Sequence, residues 1–133
     1  MATIFSRIIQ QEIPSWKVGE TDRCYAFLDI GPVSRGHTLV VPKEETDYLF
    51  DLSDDSLTEL LLFTKRIARA IDRSLAPLRT GVVVQGLEVP HAHIHLIPIY
   101  TESQSMALGK RVDPSDKEMK EIAEAISFEL NRG

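Results

Sequence analysis

Residues 90 to 98 read PHAHIHLIP and put three of the chain's four histidines at alternate positions, His91, His93 and His95. In an extended strand successive side chains point to opposite faces. The three imidazoles therefore share one face, while Ala92, Ile94 and Leu96 share the other. A chain carrying this run must fold so that the apolar half is covered and each ring nitrogen finds a partner, because burying an unpaired polar group is costly. An ordinary edge strand has little use for three rings in a row, so the row reads as a site. His37, the fourth histidine, joins it if the strand that begins there lies close.

The rest of the chain supplies the scaffold. IFSRIIQQE spaces Ile4, Phe5, Ile8 and Ile9 at helical intervals, and Ile13-Pro14 ends that helix. Three strand-like runs follow, Trp16 to Glu20, Cys24 to Ile30 and His37 to Pro42, joined by short connections that imply an antiparallel meander. A long helix follows with Ser53 as cap, Asp54 and Asp55 at its positive end, and a stripe of Leu57, Leu60, Leu61, Thr64, Ile67, Ala68 and Ile71. Thr80 to Gln85 is expected as a strand, Gly86 to Pro90 as a tight turn and His91 to Tyr100 as its partner strand. TESQSMALGKRV carries no period and reads as a loop. Asp113 before Pro114 is expected to cap a final helix burying Met119, Ile122, Ala123, Ile126 and Leu130. The fold expected is α+β: a five-stranded antiparallel sheet with a long helix packed on it, in a single domain spanning 1–133.

With 133 residues, 43% of them hydrophobic and 26% charged, the chain is of ordinary globular composition, and no apolar run reaches the roughly 18 residues of a membrane span. The start has no secretory pattern, so a cytoplasmic location is expected. A formal charge of −5 argues against nucleic acid as a partner, and any phosphate must be met by local donors. Cys24 stands alone and forms no internal disulfide; it falls in an apolar run and reads as core. Arg66, Arg69 and Arg73 read as a solvated helix face, and Trp16 as core or contact surface.

Two chemistries suit the histidine row, metal binding and nucleophilic or acid–base work at phosphorus or an acyl centre. Three same-face strand positions spread their outer Cα atoms over roughly 13 Å, too far for one ion to reach all three rings, so a metal needs another ligand. Imidazole is also a competent nucleophile, and a nucleotidyl-imidazole is reactive enough to be hydrolysed in a second step.

HAHIHLIP resembles the His-x-His-x-His-apolar-apolar signature of the histidine triad (HIT) family of nucleotide hydrolases and transferases. IFSRIIQQEIPSWKVGETDRCYAFLDIGPVSRGHTLVVPK is similar to that family's N-terminal half in order and spacing, so the resemblance covers most of residues 4 to 98. It implies a homodimer and a purine nucleotide substrate, with His93 attacking the α-phosphate to form a nucleotidyl-histidine that water then hydrolyses. Nucleoside phosphoramidates are the substrates implied first, and dinucleoside polyphosphates second. The resemblance makes His91 and His95 phosphate-contacting and orienting groups and His37 their support. It puts Phe5, Ile8, Phe27, Ile30 and Leu39 around the nucleoside, Asp29 on the ribose hydroxyls, and Gln85 in place of a phosphate-binding amide. Asp29, at the end of an apolar strand, either caps the turn at Gly31-Pro32 or meets the ligand, and the ligand is the preferred reading.

Three departures from the family pattern stand out. A Cys-x-x-Cys that holds zinc in many relatives is replaced by Thr3 and Ser6, so no metal and no cofactor are expected. Glu44, Glu45 and Thr46 stand where a histidine is common. The Gly-rich phosphate loop before the triad is shortened to Gln85-Gly86-Leu87-Glu88-Val89-Pro90, with Leu87 in place of the loop glutamine and Glu88 in place of a small hydroxyl residue. A carboxylate beside a transferring phosphate repels it, so a nucleotide-binding module with little turnover is the reading from a different class. A metal-dependent hydrolase is the third.

Overall fold

The computed structural model describes residues 2–109 and 111–132. Lys110, in the stretch expected as a loop, and the two end residues of the expected domain 1–133 lie outside the described residues. A short helix α1 (Ile4–Ile9) precedes strands β1 (Lys17–Glu20), β2 (Cys24–Leu28) and β3 (Thr38–Pro42). Helix α2 (Asp54–Leu75), strands β4 (Arg79–Val83) and β5 (Ile94–Ile99), and helix α3 (Asp116–Arg132) follow. The five strands form one antiparallel sheet in the order β1-β2-β3-β5-β4, so the expected α+β architecture is the one observed.

Both faces of the sheet are covered, which is why every residue of β2 and β3 is buried. Alternate residues serve different partners. Cys24, Ala26 and Leu28 of β2, Val40 of β3 and Ile94 and Leu96 of β5 pack with Leu60, Phe63, Ile67 and Ile71 of α2 and Ile122 and Ile126 of α3. Tyr25, Phe27, Leu39 and Val41 face the other way and meet Phe5 and Ile8 of α1. Gly19 of β1 lies so close to α2 and α3 that a Cβ there would fall 2.4 Å from Leu130.

Several expected boundaries move, each for a physical reason. α1 stops at Ile9 because Gln11 adopts a left-handed backbone (φ 65°), turning the chain before Glu12. Ser53 caps α2 as expected, its hydroxyl accepting from the Ser56 amide at 3.1 Å. Leu61, however, is exposed, and Phe63 and Ala70 take buried positions that the expected stripe omits. Ser115, not Asp113, caps α3: its Oγ accepts from the Glu118 amide at 3.1 Å while Glu118 Oε1 accepts from the Ser115 amide at 3.2 Å, a reciprocal box.

The largest correction concerns the histidine run. β4 ends at Val83, so Gln85 is not a strand residue, and β5 begins at Ile94, so His91 and His93 lie ahead of the strand. The expected tight hairpin is a longer excursion from Val84 to His93. Its backbone bonds to loops instead of to the ladder: the Ala92 amide donates to Thr46 O at 2.7 Å and the His91 amide to Val89 O at 2.8 Å. Of the three triad histidines only His95 is a strand residue, yet Ala92, Ile94 and Leu96 still enter one core as the alternation requires.

Candidate active site

The sheet register lays a row of side chains across one face: Phe27 is paired with Leu39, Leu39 with His95, and His95 with Val83. α1 lies over this row. The Phe5 ring meets Phe27 edge-on at 5.6 Å between centroids, and His93 at 5.0 Å. Beside it opens a cavity of about 500 Å³. Phe5, Ile8, Phe27, Asp29, Ile30, Leu39 and Gln85 all line it, together with His37, His93 and His95.

His91 does not line it. It is fully buried, with Nδ1 2.7 Å from Thr3 Oγ1 and Nε2 2.7 Å from the Pro42 carbonyl oxygen. Both ring nitrogens are thus committed to the protein. Sequence reasoning also missed Ile13, Pro14, Val89 and Leu108 in the wall, and it placed no ligand contact on Leu87 or Glu88, which line the cavity. Pro14, in the connection between α1 and β1, is the one signal that could have pointed here; Leu108 lies in a stretch with no period.

Hydrogen-bond valence fixes the protons on the rings. A carbonyl oxygen only accepts, so His93 Nδ1, 2.7 Å from His91 O, carries a proton, and in the neutral ring the lone pair is on Nε2. The Val33 amide donates to His37 Nδ1 at 3.0 Å, so His37 is protonated on Nε2. Nε2 sits 2.9 Å from His95 Nδ1, which must accept, leaving the His95 proton on Nε2. Burial holds His37 and His91 below the usual histidine range. Burial, helped by His37 and His93 and opposed by Asp29, brings His95 down to about 4. These three rings are therefore neutral near pH 7, as the tautomer chain requires. Asp29 caps the turn, Oδ1 accepting from the Gly31 amide at 2.8 Å, while Oδ2 lies 3.5 Å from His37 Nε2 at the cavity wall.

Asp29, His37 and His95 bring three ligand-type atoms within 4.8 Å of one another. A divalent cation there would have to replace the proton between the two rings. His37 already accepts from Val33 on Nδ1, so losing the Nε2 proton would make it an imidazolate. The cluster is complete as a proton-bridged pair and does not fit a metal bound to neutral imidazoles.

A family model described as the HIT domain matches residues 10–102. Adenosine 5'-monophosphoramidase hnt1 of Schizosaccharomyces pombe is 36% identical over 132 residues, covering 98% of this chain and 99% of that one. The Saccharomyces cerevisiae protein of the same description is 39% identical over 116 residues, covering 86% and 73%. Among solved structures, a Hit-like protein from Bartonella henselae superimposes with a TM-score of 0.81 at 30% identity, covering 96% and 95%. A zinc-bound histidine triad family protein from Mycobacterium smegmatis gives 0.84 at 26% identity, covering 99% and 95%. A histidine-lined cavity thus opens on one face of an antiparallel sheet whose other face carries a long helix. This chain belongs to the HIT domain family.

Thr3 and Ser6, in place of the Cys-x-x-Cys of the family pattern, offer no thiolate to a zinc ion. The Thr3 hydroxyl bonds to the Ser6 amide and hydroxyl and to His91, and the Ser6 hydroxyl bonds to Glu45, while both nitrogens of His91 are occupied. Neutral hydroxyls in place of thiolates do not suit zinc.

Proposed function

We propose that the protein is an enzyme, a nucleotide hydrolase acting at the α-phosphate of nucleoside phosphoramidates or related 5'-monophosphate derivatives through a nucleotidyl-His93 intermediate. The observation that carries this reading is the His93 Nδ1–H bond to the His91 carbonyl, which leaves the Nε2 lone pair on a ring at the cavity wall. His93 Nε2 forms a bond to phosphorus as the bond to the leaving nitrogen breaks, and the departing amine takes up a proton from solvent. Water then attacks phosphorus, the P–Nε2 bond returns its electron pair to the ring, and the attacking water releases a proton to solvent. His95 Nε2–H is a donor for a phosphate oxygen, with His37 fixing its tautomer. His91 serves by holding the carbonyl that orients His93. Phe5, Ile8, Phe27, Ile30 and Leu39 suit a purine nucleoside, Asp29 its ribose and Gln85 its phosphate.

The amine leaving group is favoured over a polyphosphate by the wall itself. Among the described residues the cavity presents the carboxylates of Asp29 and Glu88 and no lysine or arginine, a poor setting for several negative charges. The names of the S. pombe and S. cerevisiae relatives support the same choice.

One observation favours a second reading, nucleotide binding with little turnover: Leu87, where the loop glutamine is expected, is 88% exposed and offers no donor. The deciding experiment is intact-protein mass spectrometry after rapid quench with an adenosine phosphoramidate. The proposal expects a nucleotidyl adduct and product with wild type and neither with His93→Ala; binding without adduct in both proteins selects the second reading.

The single domain, a cytoplasmic location, no resident metal or cofactor and no nucleic-acid partner belong to the same reading. So does a homodimer, for which β4 offers an open edge with Val82 60% exposed and α2 an exposed Leu62. Sedimentation showing a monomer at working concentration would remove the dimer.

A further inference from the structure

Three segments distant in sequence meet behind the cavity. The end of β3 and the turn after it supply Pro42, Glu45 and Thr46, the start of α1 supplies Thr3 and Ser6, and the excursion before β5 supplies His91 and Ala92. Glu45 Oε1 accepts from the Thr3 amide at 3.2 Å and from the Ser6 hydroxyl in a short contact. Thr3 Oγ1 accepts from the Ser6 amide at 3.1 Å, lies 3.2 Å from Ser6 Oγ and approaches His91 Nδ1 at 2.7 Å. The Pro42 carbonyl can only accept, so His91 carries its proton on Nε2 and Nδ1 accepts from the Thr3 hydroxyl. The Thr3 proton is thereby spent on His91. The Ser6 hydroxyl donates to Glu45, and every hydroxyl proton in the group has one destination.

We propose that Glu45 is a positioning residue for His93, acting through Thr3 and Ser6 to lock the His91 ring and thereby the His91 carbonyl that receives His93 Nδ1–H. The route is short and continuous. The His91 ring is tied to β3 through Pro42, the adjoining Ala92 amide to Thr46 O, and the His91 carbonyl to His93 at 2.7 Å. Remove the acceptor and the Ser6 and Thr3 hydroxyls gain other partners, and His91 Nδ1 loses its fixed donor. The ring is then held only by its Nε2–H bond to the Pro42 carbonyl and is free to tilt, and the peptide presenting the His91 carbonyl loses one anchor. The clasp does this with hydrogen bonds at residues where a metal has no donor set. Glu45 is itself exposed at the surface, whereas Ser6 and His91 are buried, so the carboxylate acts from outside on groups it does not touch at the cavity.

This inference rests on His93 being the nucleophile, and its test reads the rings as well as turnover. Glu45→Ala, Glu45→Gln and Thr3→Val are made in the full chain. Long-range proton–nitrogen spectra of the 15N-labelled protein report which nitrogen of His91 and His93 is protonated, and phosphoramidate kinetics separate kcat from KM. Wild type should show His91 protonated on Nε2 and His93 on Nδ1. Glu45→Ala and Thr3→Val should shift and broaden the ring signals of His91 and His93 and lower kcat about tenfold, the size of one lost hydrogen bond, with KM within about twofold. Glu45→Gln, whose amide oxygen still accepts, should restore both. Ring signals unchanged from wild type in Glu45→Ala and Thr3→Val overturn the proposal, as does an equal loss of kcat in Glu45→Gln. If wild type forms no adduct, the nucleophile reading has failed, and the ring signals alone still report whether the clasp orders His91 and His93.

Discussion

The two faces of the sheet are built from the same strands by opposite means. On one face, Ala26, Val40 and Leu96 disappear beneath α2, 22 residues long, and α3, 17 residues long. On the other, Phe27, Leu39 and His95 meet α1, a six-residue helix, and loops held in place by side-chain hydrogen bonds. The first is apolar packing and its stability scales with buried area. The second leaves a cavity, and the donors around it need defined partners more than they need volume. Alternation along a strand lets the chain divide these tasks residue by residue, so a change at one position acts on fold or on chemistry according to the face.

Ile67→Ala tests the helix face most severely. Ile67 is fully buried, and its truncation should cost about 2–5 kcal/mol in urea unfolding while turnover per folded molecule stays near wild type. His93→Ala is the converse: adduct formation lost by roughly a thousandfold or more, with thermal unfolding close to wild type. If either variant crosses over, the division of labour between faces is wrong.

A smaller effect is expected from His95, whose pKa is held near 4 in the folded chain against an ordinary value of 6.5. The unfolded state binds a proton that the folded state refuses. The stabilising contribution is therefore complete above about pH 6.5 and drains away as pH falls toward 4, and His37 and His91, also held down by burial, act in the same sense. His95→Gln should flatten that acid decline in an unfolding series across pH 7 to 4; an unchanged slope would remove His95 as its source. The smallest effect belongs to Leu87→Gln at the exposed rim. Stability should stay within about 0.5 kcal/mol, while the new amide, if the shortened loop limits turnover, raises kcat a few-fold.

The sequence carried the helix face well because its signals are local. Ser53 ahead of two aspartates marks the start of α2, and Met119, Ile122, Ala123, Ile126 and Leu130 fall on one side of α3 as their spacing demands. It failed at Leu61 because Leu60 to Phe63 are four apolar residues in a row, and only packing decides which of them turn inward. The cavity face was legible in its residues and not in its geometry. Phe5, Phe27, Asp29, His37, His93 and His95 do converge. That His91 turns away from the cavity, and that His93 precedes β5, follows from partners such as Pro42 O and Thr46 O, some 50 residues upstream, which no spacing rule along the chain encodes.

The protons of this site are set by the main chain. Val33 N–H decides the form of His37, and His91 C=O decides that of His93. Both groups belong to peptide bonds, so an alanine scan leaves them untouched, and any cost it reports at Val33, which is buried, is that of the side chain. Only proline at that position, or an ester in place of the amide, exposes the dependence. What sets the tautomers of His37 and His93 is thus nearly invisible to side-chain variation.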